Sequence, residues 1–546
     1  MITYPHYTPH FTPSDWTLPK VLAAQAGQRP DAPFLSWTDE GEPLTFGAMD
    51  RLTWRLARGL QNQGVGKGDY VALFLPNCAE FVPLWFAVVK LGAVEVPIAE
   101  SSKGGFLDHL LSVAPPKLIL TTVALAERIT GAAATADLPV VLVDGAPGDR
   151  RPGVMIYEDL LDPVETPLEI EVAPSDLAAV LFTSGTTGPS KGVLMTHSQF
   201  YFVAEQGVQL TGLTPDDVYM TGFPLIHGNA QFLTVYPSLI AGAQVVLYPR
   251  FSASDWSSRV RRSGATVTNT IGATMSFICA QPPRPDEGNN RLRCVYAAPL
   301  SPDLASQFTA RFGVNNYVNA FGQTEISLPF MTPPGTSAPA NAMGVLVDQW
   351  FEVMLADPET DLPVADGAVG ELLIRPKAPN IICSGYSRMP EKSLEAQRNL
   401  WFHTGDAMRR DANGWFYFAD RVKDALRRRG ENISSFEVES VVRSFPDVAE
   451  CAVIGVPADE AGGENEVMAF IVLRDGAHLQ PEALIAWCDE RMPYFMVPRY
   501  LEAIAVLPQT PSEKVQKAKL RERGVTAATW DRLQAGCKLE RESAAA

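Results

Sequence analysis

The sequence offers few groups of the kind that hold zinc or form disulfide networks. Its seven cysteines are odd in number and widely scattered, no C-x-x-C pair occurs, and the seven histidines do not cluster. Zinc sites need several such ligands at short spacing, and small disulfide frameworks use an even set. The distribution therefore argues against a structural zinc site and predicts reduced thiols in a cytoplasmic protein.

Long apolar runs are also missing, and so is an excess of positive charge. The longest apolar run, residues 81–89, is too short to span a bilayer, and the N-terminal segment lacks the layout of a signal peptide. A formal net charge of -17 would repel nucleic-acid backbones. We therefore expect no membrane span and no nucleic-acid partner, and a phosphate ligand must meet local cations or backbone N–H groups.

The chain does contain enough apolar sequence for several hydrophobic cores, since 546 residues exceed what one core usually serves. Up to about residue 345, helical patterns alternate with short apolar runs, which predicts βαβ units and parallel sheet. The turn-rich sequence beyond it predicts antiparallel strands. The expected fold class is α/β, with a large N-terminal domain of parallel and mixed sheets, helices and a β-rich part, and a small α+β C-terminal domain. The predicted bounds are 1–420, with the β-rich part at about 345–420, and 424–546.

Individual elements follow from the same patterns. Apolar residues at helical spacing predict helices at 46–63, 81–91, 436–444 and 481–491. Short apolar runs predict strands at 70–75, 94–98, 118–121, 140–143, 177–182, 245–248, 350–354, 371–374, 451–455, 467–473 and 500–506.

The segment TSGTTGPSKG, residues 183–192, follows the apolar run 177–182. Glycines let the backbone turn close to an anion, hydroxyl groups add donors, and Lys191 adds a positive charge. A flexible surface turn is the alternative, but a place behind a buried strand favours a phosphate-binding loop. The Walker loop needs Ser or Thr straight after its lysine to hold magnesium. Gly192 stands there instead, so a metal ligand must come from elsewhere in the chain.

Further motifs follow in a fixed order along the chain. They are FPLIH (223–227), AAPL (297–300), NAFGQTE (319–325), WFHTGD (401–406), DRVKD (420–424) and PSEKV (511–515). Together with TSGTTGPSKG they resemble the motifs of the adenylate-forming enzymes, which comprise acyl-CoA synthetases, luciferases and the adenylation domains of peptide synthetases. The resemblance covers roughly residues 35–525.

The resemblance implies an ATP-dependent carboxylate–CoA ligase that uses ATP, Mg²⁺ and coenzyme A. A carboxylic acid and ATP give an acyl adenylate and pyrophosphate, and CoA then displaces AMP. In this interpretation the 183–191 loop holds the β- and γ-phosphates, Thr324 contacts the α-phosphate, and Glu325 is the magnesium ligand. Asp406 accepts hydrogen bonds from the ribose diol, and Lys514 stabilises the two anions that approach each other during adenylation.

The resemblance also assigns residues to each part of the site. The implied catalytic residues are Lys514, Thr187, His227 and Glu325. The implied ATP- and AMP-binding residues are Thr183, Ser184, Gly185, Thr186, Thr187, Gly188, Lys191, Ala297, Ala298, Pro299, Asn319, Ala320, Phe321, Gly322, Thr324, Asp406, Arg421, Arg427 and Lys514. The implied CoA-binding residues are Arg250, Arg429 and Gly430. The implied acyl-pocket residues are His227, Asn229, Gln231, Thr274, Met275, Gln323 and Ser327. Segment 421–423 is the implied hinge, with Lys423 at its pivot and a mobile C-terminal domain beyond it.

Several alternatives stay open at this point. His227 is either a gate between the acyl pocket and the thiol tunnel or a packed core histidine. Glu513 replaces the glycine that usually precedes the lysine in this motif, and it either pairs with Lys514 or faces solvent. The other functions are an acyl-AMP ligase that loads a carrier protein, a luciferase-like monooxygenase and a catalytically silent nucleotide-binding relative; the intact motifs argue against silence.

The identity of the acid is the least constrained part of the prediction. The implied pocket is moderately polar, which favours a short, functionalised or ring-bearing acid over a long fatty acid. Segments 103–109 and 529–532 look most like the crotonobetaine/carnitine–CoA ligase branch. Many enzymes of this kind form homodimers, and the resemblance implies that this protein can form one too.

Overall fold

Two seven-stranded, mostly parallel sheets occupy the first part of the chain, as the alternating pattern predicts. They are seen in a computed structural model that describes residues 2–130, 138–183, 190–298, 300, 302–421, 426–428, 431–433, 435–457, 465–492, 494, 496–509 and 514–539. Strands of such sheets are buried on both faces and therefore read as continuous apolar runs. The strand Tyr70–Phe74 is typical, since Val71, Ala72 and Leu73 are fully buried.

The first sheet ends in an antiparallel hairpin. In spatial order its strands are Val154–Ile156, Val140–Leu142, Leu118–Thr121, Tyr70–Phe74, Val94–Pro97, Leu177–Thr183 and Lys191–Thr196. All neighbours are parallel except the last two, which pair antiparallel with Thr183 opposite Lys191. The predicted phosphate loop is therefore the tip of a β-hairpin, and the strand that carries Lys191 was missed by the sequence pattern.

The second sheet is built from strands before and after those of the first sheet in the sequence, and one hydrophobic core contains residues of both sheets. Its strands are, in spatial order, Tyr317–Val318, Cys294–Ala297, Val267–Thr270, Val218–Thr221, Gln244–Leu247, Pro33–Trp37 and Leu44–Thr45, of which only the last two pair antiparallel. The helix His197–Thr211 is buried along almost its whole length and contributes Phe200, Tyr201 and Phe202 to the core cluster that joins both sheets.

The third sheet is antiparallel throughout. Its strands are, in spatial order, Ala320–Gln323, Ser327–Met331, Ala342–Leu346, Trp415–Arg421, Phe402–Arg410, Gly370–Pro376 and Phe351–Ala356. It begins at Ala320, earlier than the predicted start near 345. The two extra strands form a tight hairpin that carries the NAFGQTE motif, and their apolar residues do not alternate with polar ones as exposed antiparallel strands do.

The last part of the chain forms a smaller α+β unit. A four-stranded sheet contains Val448–Pro457, Asn465–Leu473, Tyr500–Ala503 and Trp530–Asp531, and a two-stranded ribbon contains Leu426–Arg428 and Glu431–Ile433. Its buried clusters are drawn from residues 426–539, whereas the large core is drawn from residues 4–416. The predicted fold class, a large N-terminal domain and a smaller C-terminal domain, is confirmed. The hinge residue Lys423 lies outside the described residues.

Helices cover the parallel sheets and the C-terminal sheet. The α-helices of the described residues are Leu18–Gln28, Phe46–Asn62, Phe81–Lys90, Gly104–Val113, Val123–Thr130, His197–Thr211, Gly228–Ala230, Tyr236–Ala241, Trp256–Ser263, Gly272–Cys279, Pro302–Phe312, Pro390–Ala396, Ser435–Arg443, Pro481–Asp489 and Lys517–Arg523. A π-helical turn, Gln231–Val235, follows Gly228–Ala230 directly. The four helices predicted from spacing are all present within a few residues of the expected bounds.

Candidate active site

The two ends of the predicted phosphate loop are fixed by the hairpin that carries it. Thr183 lies opposite Lys191 in the strand pair, and Ser190, just before Lys191, is buried. His109, on the helix Gly104–Val113, donates from Nε2 to the Ser190 carbonyl oxygen at 2.8 Å. Both ends of the loop are thus held by the sheet and by a helix, while residues 184–189, including Ser184, Gly185, Thr186, Thr187 and Gly188, lie outside the described residues.

A tyrosine that no motif contains links Lys191 to Glu325. The Lys191 ammonium lies 4.4 Å from the centre of the Tyr386 ring, and the Tyr386 hydroxyl donates to Glu325 Oε1 at 3.1 Å. Burial, and then the negative charge of Glu325, raise the pKa of Tyr386 well above its usual range, so the phenol is a donor at physiological pH. The predicted loop cation and the predicted metal ligand therefore share one wall of the site.

The backbone of the Thr324–Glu325 turn is held by two neighbours. Gln199 Nε2 donates to the Thr324 carbonyl at 2.8 Å, and the Cys383 amide donates to the Glu325 carbonyl at 2.8 Å. Glu325 is 9% exposed. Among the described residues, its second carboxylate oxygen accepts no hydrogen bond from the protein, so one hard oxygen remains for a cation. This donor fits the preference of Mg²⁺ for a carboxylate supplemented by phosphate and water oxygens.

Asp406 is held by a residue that the sequence assigned to the acyl pocket. Gln323 Nε2 donates to Asp406 Oδ2 at 2.6 Å and to the Thr404 carbonyl at 3.1 Å, and Asp406 is 1% exposed. The strand register places Arg421 directly opposite Asp406. The structure thus brings Gln323, Asp406 and the Arg421 backbone together on the third sheet, beside the Thr324 turn.

A second missed residue, Glu371, supports the turn before Asp406. Its Oε1 accepts the Gly405 amide at 3.1 Å, and its Oε2 lies 3.3 Å from His403 Nδ1. Gly405 has a φ of 70°, a conformation that favours glycine. Asp361, Glu371 and His403 form a candidate metal cluster by spacing, but Arg398 already lies 3.2 Å from Asp361 and 3.6 Å from Glu371. The Arg398 guanidinium therefore already supplies a positive charge to these two carboxylates, and Glu371 holds the Gly405 turn.

His227 lies at the N-terminal end of the short helix Gly228–Ala230 and is half-buried. Burial lowers the pKa of His227 below its ordinary value, and the positive charge of Lys514 lowers it further. Lys514 itself is exposed. A lysine of the C-terminal unit therefore lies close enough to this histidine of the large domain to influence its pKa.

The residues predicted to line the acyl pocket differ in how far they can reach a substrate. Asn229 is half-buried, and its Oδ1 accepts a hydrogen bond from Asn269 Nδ2. Gln231 has no exposed surface, and its Nε2 lies 3.4 Å from Oε2 of Glu95, a carboxyl whose pKa is raised by burial. Three others are also closed off, since Met275 is 0%, Ser327 2% and Thr274 6% exposed. The members of this set with accessible surface are Asn229, His227 and Gln323, and Gln323 is the residue that holds Asp406.

The adenine-side residues lie on the second and third sheets. Ala297 ends the strand Cys294–Ala297, and Asn319 donates from Nδ2 to the Ala342 carbonyl at 2.9 Å. Ala320, Phe321 and Gly322 follow in the first strand of the third sheet, where the Phe321 ring lies 6.0 Å from the ring of Phe330. Ala298 is half-buried beside them, and Pro299 lies outside the described residues.

Of the three predicted CoA-binding residues, only Arg250 lies among the described residues. Arg250 is exposed after the strand Gln244–Leu247, and its carbonyl accepts a hydrogen bond from Arg259 at 2.7 Å. Arg429 and Gly430 lie outside the described residues, as do the side chains of Arg421 and Arg427. No helix of the described part is long and apolar enough to cross a membrane.

Comparisons with known proteins agree with this arrangement. Residues 22–386 match the family described as AMP-binding enzyme, and residues 437–514 match its C-terminal domain. A sulfoacetate–CoA ligase of Cupriavidus necator is 31% identical over 509 residues, which cover 92% of this chain and 97% of that protein. A crotonobetaine/carnitine–CoA ligase of Salmonella agona is 31% identical over 487 residues, covering 88% and 93%.

A solved structure gives the same result for the fold. The ATP-bound structure of MatB from Rhodopseudomonas palustris superimposes with a TM-score of 0.82 at 26% identity, covering 92% of this chain and 98% of that one. Family match, relatives and fold extend over both the large and the small domain. The chain therefore belongs to the family of AMP-binding enzymes, whose members form adenylates.

Proposed function

We propose that this protein is an AMP-forming carboxylate–CoA ligase that runs two half-reactions at one site. In the first, a carboxylate oxygen attacks the α-phosphorus of ATP, and pyrophosphate leaves. In the second, the CoA sulfur attacks the acyl carbon, the thiol loses its proton and AMP leaves. An AMP-forming acid–thiol ligase of this kind agrees with the relatives, which are CoA ligases.

The observation that carries the proposal is the hydrogen bond from Gln323 to the buried Asp406 at 2.6 Å, because it brings the Thr324–Glu325 turn next to the residue predicted to bind the ribose. The C-terminal domain agrees with this, since the positive charge of Lys514 lowers the pKa of His227 in the large domain. A flexible ammonium beside the acyl-pocket histidine can reach both a substrate carboxylate and the α-phosphate, whose negative charges otherwise repel each other. The half-reaction that needs this charge is adenylation, so the domain arrangement supports adenylate formation.

The remaining roles are proposed from the motifs. The loop at 183–191, of which residues 184–189 lie outside the described residues, would hold the β- and γ-phosphates with the help of Lys191, and Thr324 would contact the α-phosphate. Asp406, oriented by Gln323, binds the ribose diol. Glu325 is the residue that would hold Mg²⁺, which supplies charge neutralisation on the phosphate oxygens when bound.

For the second half-reaction we propose free CoA as the acceptor. Arg250, Arg429 and Gly430 are the proposed contacts for its phosphates and pantetheine, because a protein with a net charge of -17 needs local cations to bind a phosphorylated ligand. Rotation of the small domain about Lys423 would withdraw Lys514 and bring the 427–435 segment to the site. We also propose that the protein acts in the cytoplasm and can form a homodimer.

The proposed substrate is a small carboxylic acid with a second polar group. Asn229, His227 and Gln323 are the predicted pocket residues with accessible surface, and Asn229 is held by Asn269 through a neutral amide–amide hydrogen bond. The relatives include ligases named for sulfoacetate and for crotonobetaine or carnitine, which are small functionalised acids. A long alkyl chain would leave the amides unsatisfied, and this selects against fatty acids.

The test is release of pyrophosphate and AMP from ATP with a panel of carboxylic acids, with and without CoA. We expect at least one small functionalised acid to give pyrophosphate alone without CoA, and AMP plus a thioester with CoA. Pyrophosphate without any thioester would favour the carrier-loading alternative. Absence of both products with every acid would contradict the proposal and leave a nucleotide-binding protein without ligase activity.

A further inference from the structure

The side chain of Tyr386 joins two parts of the site that come from distant parts of the sequence. Its ring lies 4.4 Å from the Lys191 ammonium, and its hydroxyl donates to Glu325 Oε1 at 3.1 Å. The residue is 7% exposed, so bulk water does not weaken the electrostatic attraction in either contact. One rigid side chain thus fixes the distance between the cation of the phosphate loop and the carboxylate of the neighbouring turn.

The position of Tyr386 is itself set by the sheet that carries the loop. Its backbone bridges to Val193, and the flanking amides of Ser384 and Ser387 donate to the carbonyls of Leu194 and Gly192 at 2.9 and 2.8 Å. The Tyr386 amide donates to Ser393 Oγ at 2.8 Å. The segment therefore pairs with the edge of the hairpin, and these bonds fix the Tyr386 backbone relative to the strand that carries Lys191.

We infer that Tyr386 is a positioning residue that makes the pyrophosphate-binding loop and the metal-binding carboxylate act as one unit. The inference rests on the proposed function, because it takes Lys191 and Glu325 as the groups that meet the phosphates and the cation. The hydroxyl fixes one oxygen of Glu325 and so turns the other towards the site. The ring holds the Lys191 ammonium by cation–π attraction at the place where the terminal phosphates bind.

The two contacts can be removed separately. Tyr386→Phe keeps the ring over Lys191 and removes only the hydroxyl that orients Glu325. Tyr386→Leu removes both. Since a hydrogen bond to a charged group is worth roughly a tenfold factor or more in binding, Tyr386→Phe should raise the Mg²⁺ concentration for half-maximal adenylation about tenfold. Tyr386→Leu should in addition weaken pyrophosphate binding measured without metal.

Binding is measured by calorimetry on the full-length protein, with AMP, with pyrophosphate alone and with Mg²⁺ plus pyrophosphate. AMP lacks the terminal phosphates and meets neither Lys191 nor the metal, so its affinity should be unchanged in both variants. The matched control is Tyr417→Phe, because Tyr417 also donates to a carboxylate, Asp411 at 3.1 Å, and lies 4.2 Å from the Arg409 guanidinium, away from the site. This control should leave every affinity unchanged.

The outcomes separate the possible explanations. Tyr386→Phe with the Mg²⁺ dependence and the Mg²⁺–pyrophosphate affinity of the unsubstituted protein would overturn the inference. Equal losses of AMP and pyrophosphate affinity, with a lower melting temperature, would show a merely structural tyrosine and would also overturn it. Failure of the proposed function would be seen earlier, in an unsubstituted protein that binds neither AMP nor Mg²⁺–pyrophosphate.

Discussion

The nucleotide end of the site provides a quantitative test, the substitution Asp406→Asn. The carboxylate is 1% exposed and is held by Gln323 at 2.6 Å, so an amide of the same shape fits without repacking. What changes is the charge and one acceptor atom. Hydrogen bonds to charged groups contribute about 1.5–3 kcal/mol, which corresponds to roughly 10- to 150-fold in affinity. We expect the affinity for AMP to fall and the KM for ATP to rise by that factor, while the melting temperature stays unchanged.

The assay is calorimetric binding of AMP, accompanied by steady-state KM values for ATP and for the acid. The KM for the acid should stay the same, because the α-phosphate separates the ribose diol from the acyl group. Asp366→Asn is a suitable control, since that side chain lies in the turn before the strand Gly370–Pro376 and is 98% exposed. An AMP affinity within threefold of the unsubstituted protein would refute the assignment of Asp406 to the ribose.

Two further predictions concern the N-terminal segment and the metal. The hydrogen bond to the buried Glu205 raises the pKa of His10, and it also lowers the pKa of Glu205, although burial alone would raise it. The pair therefore stabilises the fold fully between about pH 4.5 and 6.5 and loses this effect as pH rises through the raised pKa of His10. His10→Ala should lower the unfolding free energy by about 1 kcal/mol at pH 6 in urea titrations, because His10 is half exposed, and by less at pH 9; an equal loss at both pH values would contradict this. Chelation with EDTA should abolish adenylation while leaving AMP binding intact, and Glu325→Gln should imitate chelation; activity that survives in EDTA would contradict the role of Glu325.

Much of the fold could be predicted from the sequence because buried parallel strands leave a strong local signal. The runs that become Tyr70–Phe74, Leu118–Thr121 and Leu177–Thr183 are apolar from end to end, and the helices between them have clear periodicity. The strand Lys191–Thr196 was missed, because it begins with a lysine and a glycine that look like the end of a loop. That strand makes the loop the tip of a β-hairpin.

The site was predictable only where a motif carries it. Glu325, Asp406 and Lys514 belong to recognisable segments, whereas Tyr386 and Glu371 do not. Tyr386 reaches Glu325 across 61 residues of sequence, through a bridge to the hairpin strand that no local pattern reveals. Gln323 was predicted as a pocket residue, but the tight hairpin of the third sheet turns its amide to Asp406. Long-range strand pairing determines such contacts, so they require the structure.

Two half-reactions are proposed to take place at one site, and Lys514 is proposed to act only in the first. The decisive measurement compares Lys514→Ala with Lys519→Ala, an exposed lysine on the next helix, in pyrophosphate release and in conversion of a supplied acyl adenylate and CoA to thioester. Removing a fixed charge that stabilises a transition state costs about 10²–10³ in rate. Lys514→Ala should lose adenylation by this factor and keep thioester formation, whereas Lys519→Ala should keep both. Equal loss of both half-reactions in Lys514→Ala would contradict it.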